Sequence, residues 1–282
     1  MDARIALEAE EIFAAEPNKF SRWGIAILGI VVFAALFAPW ISPYDYRVQN
    51  MLDTFANPGR THLLGTDQFG RDILSRIIWG SRASLIVGLE ATVLGGILGT
   101  FLGMVAGYKG GTIDHVITRL VDMMMAIPTL IMSLMMMVAL GPSLHHTALA
   151  IAISMTPKFI RLARASSLTL RERDYVLASE ALGASHSRLL WRHILPNSVG
   201  PIVVMATLWL GFAIRIEATM SFLGLGVQPP NSSWGLMIKE GVDSVLFYPW
   251  LALFPGLAIM ITILAFNMLG DNLQDILNPR LR

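Results

Sequence analysis

Six stretches of this chain are too apolar to be left in water, and most are about as long as a bilayer is thick. They cover residues 23–40, 84–108, 120–140, 147–160, 199–223 and 251–269. A spanning helix needs roughly 20 apolar residues. Inside lipid each backbone amide must find its partner within its own segment, which leaves the helix as the structure open to such blocks. The predicted fold is an all-α polytopic membrane protein with six transmembrane helices. The fourth block is the shortest. Pro157 and Lys158 arrive early, so its helix is expected to continue through Arg161 and Arg164 beyond the lipid. Pro128 interrupts the third block and predicts a kink there.

An even number of spans puts both ends on one side. Fourteen Lys and Arg fall on the side of the termini and six on the other, so both termini are predicted to be cytoplasmic. The chain then divides into a cytoplasmic tail 1–22, a first span 23–40, a periplasmic segment 41–83, a five-helix core 84–270 with a cytoplasmic loop 161–197, and a C-terminal tail 271–282. Glu8, Glu10, Glu11 and Glu16 make the first tail too polar for a cleaved leader, so 23–40 reads as a retained span. In the periplasmic segment, Asp72 and Arg76 with Ile73, Leu74, Ile77 and Ile78 predict a separate amphipathic helix on the surface. Trp40, Trp79 and Trp250 are expected at the outer interface and Trp23 at the inner one.

Several function classes are excluded. With 54% hydrophobic and 15% charged residues and a net charge of +1, the chain offers no basic surface for nucleic acid. It has no cysteine, no Gly-x-x-x-x-Gly-Lys-Ser/Thr phosphate loop and no His-Glu-x-x-His. Adjacent His145 and His146 beside Ser143 lack a carboxylate at ligand spacing. The expectation is a non-catalytic chain that binds no metal or cofactor itself.

Two features inside the spans carry information. Gly95, Gly99, Gly103 and Gly107 form a ladder on one helix face. Lipid gives no hydrophobic drive between helices, so close backbone approach through such a ladder predicts tight packing within the bundle or against a partner. Glu90, Arg215 and Glu217 are charged at membrane depth, where each costs about 2.5–3.5 kcal/mol at a helix centre. Arg215 and Glu217 are two apart and cannot face each other. Glu90 and Arg215 lie at similar depths on antiparallel helices, which predicts a pair near the outer mouth. The alternative is separate snorkelling of each side chain to the interface. Met123–Met125 and Met135–Met137 could line a pathway or fill gaps against lipid.

The remaining signal is polar. Residues 174–185 read as a short helix ending at Gly183, and Ser185 is placed to cap a second one that Pro196 is expected to stop. Tyr175, Ala178, Ala181, Gly183, Ala184, His193, Leu195 and Pro196 make up this element, and its small residues would let a partner's surface approach closely. It resembles the cytoplasmic loop of ABC-importer permeases, which runs Glu-Ala-Ala, three residues, Gly, then Ile-x-Leu-Pro. Aligned on Gly183 and Ile194-Leu195-Pro196, the triplet falls on Leu177, Ala178 and Ser179, so its acidic position is occupied by leucine. The stretches 64–76, 221–226 and 269–272 are similar to the dipeptide, oligopeptide and nickel branch, specifically the C-type permease of peptide importers.

That resemblance implies a type I importer bundle supplying half of a pathway for di- or oligopeptides. Similar permeases carry nickel chelates, glutathione, opines or sugars. It also implies a second homologous permease, two subunits that bind ATP and Mg and dock on 175–197, and a periplasmic or lipid-anchored solute-binding protein. The segments 65–76 and 226–248 are candidates for the binding-protein contact. A self-sufficient secondary transporter would want intramembrane relays and internal inverted repeats, and no repeat is detectable. An intramembrane enzyme would want a placed nucleophile and base.

Overall fold

Asp72 decides where the longest helix begins. Its carboxylate accepts the Ser75 amide (2.8 Å) and the Ser75 hydroxyl (2.7 Å), satisfying groups that a first turn leaves free. No proline follows until the helix ends at Gly110. In the computed structural model, which describes residues 19–277, the result is one 37-residue helix, Ile73–Lys109. The separate amphipathic surface helix expected at 72–78 is therefore corrected. Those residues are the first turns of the second membrane helix, which starts well before residue 84. The readings made for residues 1–18 and 278–282 lie outside the described residues.

The helices are α1 Lys19–Ile41, α2 Ile73–Lys109, α3 Gly111–Met125, α4 Thr129–Leu140, α5 Leu144–Arg171, α6 Asp174–Ala181, α7 His186–Phe222, α8 Trp234–Gly241 and α9 Trp250–Leu277. Among the described residues there is no strand, only a single bridge between Thr66 and Asp72. By length and composition α1, α2, α7 and α9 can each cross a membrane, and α3 with α4 passes as a fifth unit bent by 92°. The count of six thus depends on α5. It is a continuous 28-residue helix through Arg161 and Arg164, but its basic second half keeps it below that measure. The third block is not one straight span. Pro128 holds an extended conformation (φ −55°, ψ 134°) between α3 and α4, and Pro also disfavours helical geometry in the residue before it. At the other end of the chain, α9 runs on through Leu277 rather than ending near 270.

Pro196 does not stop a helix either. Residues Leu189–Ile194 are wound as a π-helix, with the Leu195 amide bonded five residues back to the Leu190 carbonyl. The α-helix resumes at Leu195 and places Pro196 in its first turn. The ring is tolerated in the first α-helical turn after the π stretch, and Pro201 also lies within the same helix. Helix α7 runs from His186 to Phe222 through the π stretch.

The bundle is organised around α2 against α5. Every member of the glycine ladder faces α5. A methyl group on Gly95 would lie 2.8 Å from the Ala152 carbonyl, one on Gly99 2.5 Å from Cβ of Phe159, and one on Gly107 2.5 Å from the Arg164 carbonyl. Gly103 is equally tight against Ile160 and Ala163. The core above this seam contains Val87, Ala91, Ala148, Ile151, Met155 and Phe159. A second core, with Leu28, Ile214, Trp234, Leu251 and Phe266, joins α1, α7, α8 and α9. Arg164 holds Asp114 (Nη2 to Oδ2, 2.6 Å) and Arg161 holds Asp122 (2.9 Å), tying α3 to the basic half of α5.

A side chain at the seam has nowhere to go. Gly103→Val should cost about 1–3 kcal/mol by overpacking and lower the yield of folded protein in detergent. Gly256→Ala on α9, where nothing lies within 4 Å, should be neutral or stabilising by a few tenths. Thermal unfolding of the two purified variants measures the difference.

Candidate functional site

The two ends of the bundle are built differently. At the end where α1 is joined to α2, residues 65–72 fold into a closed, buried loop against the first turn of α2. Asp67 Oδ1 accepts the amides of Phe69 (2.8 Å) and Arg71 (3.0 Å), and its Oδ2 takes Nε of Arg71 (2.7 Å) and the Arg76 guanidinium. Both arginines also reach Glu240 Oε2 on α8, at 2.8 Å from Arg71 and 2.7 Å from Arg76. Two cations and two anions balance, and all four side chains are largely buried. Ser232 Oγ donates to the Arg76 carbonyl (2.9 Å), and Trp234 Nε1 donates to the Ile77 carbonyl (3.0 Å). This network clamps α8 to the start of α2. Spacing alone suggested Asp72 and Arg76 on one exposed face, whereas Arg76 is buried at 2% exposure. Exposed apolar residues at this end include Leu52 in the connection from α1 to α2, and Leu246 and Phe247 within the 226–248 segment.

At the opposite end stands the docking-like element. Helix α6 is followed by Gly183 at φ +84°, a left-handed conformation that costs L-residues about 1–2 kcal/mol. Ser185 Oγ then accepts the Arg188 amide at 3.4 Å, opening α7. Tyr175, Ala178, Ala181, Gly183 and Pro196 are exposed, while Ala184, His193 and Leu195 are half-buried. Leu182 is 90% exposed. The Tyr175 and His193 rings lie 6.3 Å apart, so α6 folds back onto the π-helical start of α7. Tyr108 at the end of α2 meets His186 (2.8 Å), and Arg171 Nη1 donates to the Gly107 carbonyl at 3.3 Å.

The intramembrane charges do not pair as expected. Glu90 faces His145, whose Nδ1 lies 2.9 Å from Oε1 and 3.0 Å from Oε2. Arg215 is exposed, with its guanidinium 4.6 Å from the Phe212 ring centre. The expected Glu90–Arg215 pair is therefore corrected. Helix depth places residues along an axis but not around it, and α5 rather than α7 covers that side of Glu90. Glu217 is fully buried and accepts Ser84 Oγ (2.9 Å) and Ser221 Oγ (2.7 Å), which bridges α2 to α7. The methionines divide similarly, with Met123 and Met135 exposed and Met137 buried.

These features define a helical, multi-pass membrane protein with an exposed helix–glycine–helix element at one end and no nucleotide-binding loop. Residues 99–282 match the family of binding-protein-dependent transport system inner membrane components, and residues 17–58 match the N-terminal transmembrane domain of oligopeptide transport permease C. The dipeptide transport system permease protein DppC of Alkalihalophilus pseudofirmus is 42% identical over 265 residues, covering 94% of this chain and 87% of that protein. The oligopeptide transport system permease protein OppC of Bacillus subtilis is 40% identical over the same length, with the same coverage. The di/tripeptide transport system permease protein DppC of Pseudomonas aeruginosa is 42% identical over 272 residues, covering 94% and 89%. The chain belongs to the inner-membrane permeases of binding-protein-dependent ABC importers, and is a multi-pass protein of the bacterial inner membrane.

Removing one partner from a buried ion network leaves the others uncompensated, at a cost of about 3–5 kcal/mol. Glu240→Gln should therefore lower the thermal midpoint markedly, although it removes only a charge. Asp243→Asn, in the turn just beyond α8, should leave the midpoint within a degree or two.

Proposed function

We propose that this chain is one of two permease subunits of an ATP-driven importer for di- or oligopeptides, and that it takes up motion from ATP-binding subunits through residues 174–197. The observation that carries the reading is the exposed α6–Gly183–α7 element. It is continuous through the π-helical stretch with a helix long enough to cross the membrane. A force applied to α6 passes through the Tyr175–His193 contact to the base of α7, and α7 is bonded to α2 at Glu217. The exposed Leu182 and the small Ala178 and Ala181 suit a protein partner's groove.

The bundle then rocks between two packed arrangements, with closure of the nucleotide-binding pair favouring one of them. ATP and Mg belong to those partners. Peptide cargo is supported by the names of the relatives, two of which are dipeptide or di/tripeptide systems and one an oligopeptide system. The 41–72 connection and the Leu246–Phe247 tip face the periplasm in this reading, where a solute-binding protein delivers the substrate.

The test uses Gly183. Nothing lies within 4 Å of a methyl group built there, so strain in the backbone, not a clash, limits substitution. Gly183→Val should distort the element while leaving the bundle folded. ATP hydrolysis by the co-purified complex should then lose its coupling to uptake, or the ATP-binding subunits should fail to co-purify. Gly183→Asn, which tolerates the left-handed region, should retain much of the coupling. Normal uptake per ATP in the valine variant would count against the docking role.

A further inference from the structure

A cavity of about 200 Å³ opens at the α1–α2 end between the start of α2, the start of α5 and the 226–233 loop. Arg47 and Arg82 line it together with Asn231, Ser232, Trp79 and Leu144, and no carboxylate does. Neither arginine makes an ion pair among the described residues, in contrast to Arg71 and Arg76 nearby, which are fully paired. Their guanidiniums rest on aromatic rings instead. Arg47 lies 4.9 Å from the centre of the Tyr46 ring and donates from Nε to its hydroxyl (2.7 Å). Arg82 lies 5.9 Å from the centre of the Trp79 ring, and the Tyr46 and Trp79 rings stack at 4.6 Å. Stacking on a ring leaves the outer N–H groups of a guanidinium free for an anion.

The opposite charge lies further along the same helix. Arg82, Ile86 and Glu90 are spaced by four and fall on one broad face of α2. Leu144 lines the cavity, and the next residue, His145, holds Glu90. Glu90 is only partly covered. A carboxylate at that depth is costly against lipid, so a half-exposed one belongs on a face that meets water or polar cargo. A carboxylate has about four acceptor positions, and one imidazole N–H does not exhaust them.

We propose that this face of α2 is a recognition strip for the two termini of a short peptide. Arg47 and Arg82 hold the C-terminal carboxylate in the cavity, and Glu90 with His145 receives the N-terminal ammonium deeper in the bundle. The eight residues from Arg82 to Glu90 span about 12 Å along the helix. An extended peptide covers about 3.3–3.6 Å per residue, so tri- and tetrapeptides bridge both groups while dipeptides engage one at a time. Ile86 and Leu144 between the poles make no demand on side-chain identity. The peptide enters amino end first. This proposal rests on the peptide-cargo reading and adds to it an orientation and a chain length.

Binding is measured on the complex purified with its partner subunits and held with a non-hydrolysable ATP analogue, without binding protein. The probes are a labelled tripeptide, its C-terminal amide and its N-acetyl form. Arg82→Gln should weaken the free tripeptide roughly tenfold or more, the loss of a charge-assisted contact, and leave the amide nearly unchanged. Glu90→Gln should weaken the free tripeptide comparably and leave the N-acetyl form nearly unchanged. Equal losses for free and blocked peptides, or none, would overturn the proposal. Uptake of the tripeptide by the reconstituted complex with ATP, measured in parallel, separates the two failures. Absence of uptake removes the cargo reading and this proposal together, whereas uptake without terminus-dependent binding removes this proposal alone.

Discussion

The contact between α2 and α5 is backbone against backbone, and most of the molecule depends on it. Lipid tails are as apolar as leucine, so helices in a membrane gain little by hiding apolar surface from it. What holds them is dispersion at short range, which falls steeply once a gap opens. Four glycines spaced by four on α2 bring its chain onto the carbonyls of Ala152, Thr156, Ile160 and Arg164. That seam runs from the level of Glu90 and His145 down to Tyr108 and Arg171. It therefore fixes the lateral spacing of α2 and α5 along the middle of the bundle.

The two ends are held together differently. At the α1–α2 end, Asp67, Arg71, Arg76 and Glu240 form a balanced, buried network that fixes α8 onto the start of α2. At the α6 end, the Arg164–Asp114 and Arg161–Asp122 pairs hold α3 to α5, but α6 and the start of α7 are attached through single hydrogen bonds and aromatic edges, and the helix there is wound with π geometry. Such stretches bond less regularly than an α-helix and often mark functional sites. A cavity of about 400 Å³, lined by Trp191, Leu195 and Phe101 among others, lies between this stretch and α2. The bundle thus has a rigid end, a compliant end and space beside the compliant one.

Much of this was legible in the sequence, because membrane helices announce themselves by length and apolarity. The glycine ladder, the bend at Pro128, the left-handed Gly183 and the Ser185 cap each follow from a local rule and are present in the fold. The departures share a cause. Asp72 and Arg76 looked like one face of a surface helix because spacing shows periodicity and not what covers it. Glu240, 164 residues beyond Arg76, is what turned that face inward. Glu90 was matched with Arg215 by depth alone, since nothing in a sequence gives the rotation of one helix about another. The sequence offers no carboxylate at ligand spacing from His145, and only the packing of α5 on α2 brings it to Glu90. Pro196 looked like a stop because the compensating π turn just before it has no sequence rule of its own.

On the proposed reading, this permease has no engine of its own and is moved by ATP-binding subunits gripping its α6 end. The most direct measurement reconstitutes the complex co-purified from native membrane into liposomes and follows accumulation of a labelled peptide supplied on the binding-protein side. Accumulation is expected only when hydrolysable ATP is present on the side of the α6 element, and it should be the same after ion gradients are collapsed. Accumulation against a gradient by this chain alone, with no nucleotide on either side, would contradict that reading.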